Sequence, residues 1–118
     1  MTPKEQRDKE MARVAKKAGL TTDQLTLISL MMNEVWNEVG SDLLQCAGIG
    51  ERSGKSIPRD EVIEVVTDAG RLDYAVRNFS EGPKRAEAAE VLKLYYAMDP
   101  AQQRAVDRYA FPAGRYGW

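Results

Sequence analysis

The sequence contains no histidine and a single cysteine among its 118 residues. The first absence removes the commonest general base at neutral pH and the commonest transition-metal ligand, which excludes His-bearing zinc and di-iron sites and His-activated nucleophiles. The second excludes an intramolecular disulfide. Cys46 falls on the apolar stripe of a helix, where a thiol acts as a small core residue and has no neighbouring base to activate it. Long apolar runs are missing too: the most hydrophobic stretch, residues 25–44, is interrupted by Asn33, Glu34, Asn37, Glu38 and Asp42, so no membrane span is expected. The first ten residues are mostly charged and carry no apolar signal core, and a cytoplasmic location is expected. Neither sign of charge dominates, with 17 basic against 18 acidic residues and a net charge of −1. An autonomous nucleic-acid binder usually carries a basic excess, so net charge does not favour such a partner.

What is present is an ordinary globular balance, 43% apolar and 30% charged, in a chain long enough to bury roughly 65% of its unfolded surface. The periodicity is helical throughout, and the reading is an all-α, single small domain of four to five helices packed around a long central helix. The first helix spans residues 3–18, with Pro3 in its first turn, acids early, Lys16 and Lys17 late, and Gly19 as its C-terminal cap. Its thin stripe of Met11, Val14, Ala15 and Ala18 places it on the outside of the bundle.

The central helix covers residues 22–47, opening at Thr22 behind a Thr21/Gln24 capping box and closing at Ala47. Leu25, Ile28, Met32, Val35, Trp36, Val39, Leu43 and Cys46 share one stripe. Leu27, Leu30 and Met31 lie off it, so the first half of this helix must be covered on more than one side. A loop, a third helix over residues 57–79 with Gly70 as a point of division, a fourth from Pro83 and a last one behind Asp99–Pro100 complete the chain. Residues 112–118 form an aromatic C-terminal tail.

Several segments invite a chemical reading. Gly50, Gly54, Lys55 and Ser56 approach a phosphate loop, but Ile49 stands where the first glycine is required and a helix precedes the loop in place of a strand. Glu34, Glu38 and Asp42 recur every four residues as an acidic stripe, a mildly repulsive arrangement unless a basic group lies opposite. Arg71, Arg77, Lys84 and Arg85 are the candidate phosphate contacts of a DNA-binding regulator using the third helix, a motif in which Asp68 and Asp73 would repel the backbone. Glu61 with Glu64, and Glu87 with Glu90, place two carboxylates on one face of each of two helices. This pairing resembles the acidic motifs of the all-α nucleotide pyrophosphohydrolases, which implies a magnesium-dependent hydrolase. The chain departs from that family in carrying Glu90 where the family has Asp.

The C-terminal residues Tyr109, Phe111, Arg115, Tyr116 and Trp118 concentrate the residue types of contact hot spots in a segment rich in glycine and proline. Such a segment either packs back over the domain or docks on a partner. With no catalytic set and no cofactor implied, the leading expectation is a non-enzymatic protein–protein interaction module: an adaptor, inhibitor or regulatory subunit of a cytosolic system of bacterial or phage type. Its partner-binding residues would be Leu27, Leu30, Met31 and the tail aromatics, with homodimerisation through the three apolar residues as one form of the interaction.

Overall fold

The computed structural model describes residues 2–46, 59–67, 69–78 and 82–112, with the side chains at 38–46, 69–70, 78 and 82–83 excepted. Six helices order the described residues and no strand occurs among them: α1 (Pro3–Ala18), α2 (Thr22–Cys46), α3 (Arg59–Val66), α4 (Ala69–Asn78), α5 (Gly82–Tyr96) and α6 (Pro100–Ala110). α2, about 37 Å long from its 25 residues, touches every other helix. The architecture is the all-α bundle around a central helix that the periodicity predicts.

The helix ends follow from local chemistry. Thr2 accepts from the Glu5 amide at 3.2 Å and Pro3 fills the first turn of α1. Gly19 closes that helix with φ 70°. Its amide reaches the Lys16 carbonyl, the Leu20 amide reaches the Ala15 carbonyl, and Leu20 is buried beyond the turn. This double closure needs a left-handed residue, which glycine adopts without a Cβ penalty. Capping boxes open α2, through Thr21 and Gln24 at 2.9 and 3.1 Å, and α6, through Asp99 and Gln102 at 3.1 and 2.8 Å.

Opposite ends of neighbouring helices are then stitched by side chains that satisfy terminal carbonyls. Gln102 donates to Lys17 O at 3.1 Å, Gln103 to Tyr95 O at 3.0 Å and Arg71 to Val65 O at 3.2 Å. Arg59 donates from Nε to Phe111 O at 2.5 Å and from Nη2 to Arg108 O at 2.9 Å. The Gln102 bond lays the start of α6 beside the end of α1, so these two helices run antiparallel.

Two expectations about segmentation and packing need correction. The third helix is two helices, and the division precedes Gly70: α3 ends at Val66 and α4 begins at Ala69, which puts Gly70 in the first turn of α4. The Thr67 hydroxyl and amide both bond to Ile63 O, at 2.7 and 2.9 Å, at the end of α3. Met31 is fully buried, together with Leu25, Ile28 and Met32. At 100° per residue it lies about 90° from the centre of the predicted stripe, but five neighbouring helices widen the buried arc of α2 to include it. Leu27 is half-buried against the core and only Leu30, 58% exposed, faces outward.

Candidate functional site

α1 exposes most of its length, keeping Val14, Ala15 and Ala18 in the core. Its exposed cations Arg13 and Lys17 stand one turn apart and face the groove formed with α6. From the other wall Arg104 and Arg108, again one turn apart, enter the same groove, with the small residues Ala101 and Ala105 leaving it open. Arg59, held by the α6 carbonyls, closes one end. The recess has a volume of about 500 Å³ and is lined by these five cations, Glu10, the two alanines, Tyr109 and Pro112. A contiguous recess of about 420 Å³ shares Glu10, Arg108, Tyr109 and Pro112 and adds Arg7 and Ser29.

The electrostatics of this groove are one-sided. Among the described residues Glu10 is the single carboxylate lining it, and it is already paired with Arg13 at 2.7 Å. Among the described residues no carboxylate pairs with Lys17, Arg104 or Arg108. Like charges at i,i+4 repel by a few tenths of a kcal/mol, and two such pairs facing each other across a concave surface focus a positive potential outward.

Beside the groove, on the far side of Arg104 and Arg108, a smaller recess is lined by Asp60, Glu64, Gln103 and Asp107. The Tyr95 hydroxyl donates to Asp107 Oδ1 at 2.7 Å, joining α5 to α6. Burial pushes the Asp107 carboxyl up to about 6, against the opposing effect of the Tyr95 bond. Burial, and then the bond to Asp107, raise the Tyr95 phenol.

The folded chain therefore holds the Asp107 proton more tightly than the unfolded chain, whose carboxyl titrates near 3.8. That stabilisation is complete below pH 3.8 and is lost as the pH rises through about 6. Screening by solvent leaves it on the order of 2 kcal/mol. Asp107→Asn keeps an acceptor for Tyr95 and removes the titration. Denaturant unfolding from pH 4 to 7.5 should show the variant gaining on the wild type by that amount as the pH rises; parallel curves would mean that Asp107 is solvated.

The residues singled out by sequence pattern fall elsewhere. Arg71 is engaged with the α3 carbonyl, and Arg77 stands beside Asp73 and Lys93 in a recess between α4 and α5. Lys84 and Arg85 are exposed on α5. The α5 carboxylates Glu87 and Glu90 border a separate recess with Leu27, Leu30 and Lys84, whereas Glu64 of the α3 pair lies by Asp107. The two glutamate pairs thus stand on different surfaces, and among the described residues no group of three His, Cys, Asp or Glu side chains is arranged to hold a metal ion.

Phe111, expected as a partner contact, is fully buried, and Tyr109 is half-buried on the groove wall. The chain thus packs back on the domain as far as Phe111, and of residues 112–118 Pro112 alone is described. Arg115, Tyr116 and Trp118, the loop with Lys55, and the side chains of Glu38 and Asp42 lie outside the described residues; Glu34 is half-buried. The basic groove itself is absent from the sequence reading, although the i,i+4 pairs Arg13/Lys17 and Arg104/Arg108 are visible there as two basic stripes.

No protein-family model matches the chain, and no curated protein and no solved structure resembles it significantly.

Proposed function

We propose that the protein is a non-enzymatic interaction module, an adaptor, inhibitor or regulatory subunit, that binds an acidic segment of another protein in the α1–α6 groove. The observation that supports this is the convergence of Arg13, Lys17, Arg59, Arg104 and Arg108 on one concave surface with a single, already paired carboxylate. Opposite charge across an interface steers encounter and fixes register.

Two other partners are less well supported. A long nucleic-acid backbone crossing the groove would meet Asp60, Glu64 and Asp107 beside Arg104 and Arg108. A second copy of the chain docking on α2 would find Leu30 exposed and Leu27 half-covered, with Met31 already spent on the core.

The test is fluorescence anisotropy with a labelled glutamate-rich decapeptide at low salt. Binding should weaken steeply between about 20 and 200 mM salt. A triple variant with Arg13→Glu, Lys17→Glu and Arg104→Glu should bind at least about 30-fold more weakly, each reversal removing one attraction and adding one repulsion. Lys84→Glu with Arg85→Glu should change nothing. Equal loss in both variants would reduce the effect to net charge, and tighter binding of a 20-base-pair duplex than of the peptide would replace the reading with a nucleic-acid one.

A further inference from the structure

Taking the groove as a partner-binding surface, we infer that what it reads on the partner is phosphate: two phosphorylated side chains close together on one segment. Charge density favours phosphate over carboxylate. The larger of the two recesses runs along α1 from Glu10 to Lys17, about 10 Å at 1.5 Å per residue. Among the described residues five cations and one carboxylate line it, a net of four positive charges on its walls, with Asp60, Glu64 and Asp107 turned to the far side of Arg104 and Arg108.

An extended peptide covers 10 Å with about three residues, and alternate side chains point to opposite sides, so about two of them face the groove. A helical partner also presents about two, one turn apart. Two carboxylates bring two negative charges and leave half of the groove's excess unmatched. Two phosphates bring about three to four, with three acceptor oxygens each.

The donors fit the same ligand. Four of the five cations are arginines; Arg13 holds Glu10 through Nε and Nη2 and Arg59 is committed to carbonyls, which leaves Arg104 and Arg108 as the two whose planar forks can engage phosphate through paired hydrogen bonds where lysine acts as a point charge. Arg59 is fixed before any ligand arrives, because its Nε and Nη2 are committed to the Phe111 and Arg108 carbonyls. It contributes charge at the end of the groove without losing side-chain freedom on binding. Arg104 and Arg108 stand on a helix whose Ala101 and Ala105 leave space for a tetrahedral group between the walls.

The experiment compares three labelled octapeptides of one neutral background, carrying at two positions a turn apart either phosphoserine, glutamate or serine, with inorganic tripolyphosphate as competitor. The phosphoserine peptide should bind at least about tenfold more tightly than the glutamate peptide, and tripolyphosphate should displace it. Arg13→Ala and Arg104→Ala, both on exposed side chains, should each weaken binding about fivefold or more with unchanged thermal melting, while Lys84→Ala leaves it intact. Equal affinity for the phosphoserine and glutamate peptides would overturn the inference and leave the acidic-partner reading standing. No binding of either peptide would overturn both, and binding of tripolyphosphate alone would assign the groove to a free oligophosphate in place of a protein segment.

Discussion

Phe111→Ala is expected to cost about 3–5 kcal/mol of folding stability, which for a chain of this size lowers the melting temperature by more than about 10 °C. The residue lies one position beyond α6, in a segment whose composition suggests a loose end, yet its side chain is fully buried. The backbone explains why it stays there. Its amide donates to Asp107 O at 3.0 Å, and its carbonyl receives Arg59 Nε. With both polar groups fixed, the ring has no path out of the core except by undoing the end of α6, so truncation leaves a cavity that the surrounding helices fill only in part. Phe111→Leu should recover most of the loss. A change of less than about 1 kcal/mol in urea unfolding of Phe111→Ala would place the ring outside the core.

The contrast between what pattern revealed and what it hid has a physical origin. Helix ends were legible because caps are local: Thr21 with Gln24 and Asp99 with Gln102 lie three residues apart, and Gly19 closes its helix through bonds to Ala15 and Lys16. The thin stripe of α1 was legible for the same reason, since Val14, Ala15 and Ala18 are one face of one helix. The basic groove was not, because Arg13 and Arg104 are 91 positions apart in sequence and no periodicity relates them. They meet because α1 and α6 pack along each other, with Val14, Ala15 and Ala18 sharing a core with Val106 and Ala110, and Gln102 ties the start of α6 to the end of α1. One clue was available. Two like-charged i,i+4 pairs on different helices are each slightly unfavourable, and their coexistence on exposed faces is the kind of cost that a ligand of opposite charge offsets.

The same logic bears on the acidic recess beside the groove. Asp107 shares α6 with Arg104 and Arg108 but turns toward α5, where Tyr95 receives it. Its carboxyl is therefore engaged by the end of α5 through the Tyr95 hydroxyl, and its neighbouring arginines are left to the solvent side. Separating the sites in this way lets α6 present a cationic face while carrying a half-buried carboxyl one residue away from Arg108.

Met31→Ala and Leu30→Ala should separate as sharply as any adjacent pair in the chain. Both residues fall off the predicted stripe of α2, and the sequence alone treats them alike. In the structure Met31 has no exposure and Leu30 has 58%. Removing the Met31 thioether deletes contacts that the close-packed interior cannot restore, at a cost of about 2–5 kcal/mol. Removing the Leu30 side chain exchanges exposed apolar surface for a slightly better helix former, a change within about 0.5 kcal/mol of zero. Denaturant unfolding of the two variants side by side decides the rotation of α2 about its own axis. Losses of equal size would mean that Leu30 is also covered, either by an α2 turned away from the described orientation or by a second chain seated on it, and the concentration dependence of the wild-type midpoint would tell these apart, since only a dimer contact dissolves on dilution.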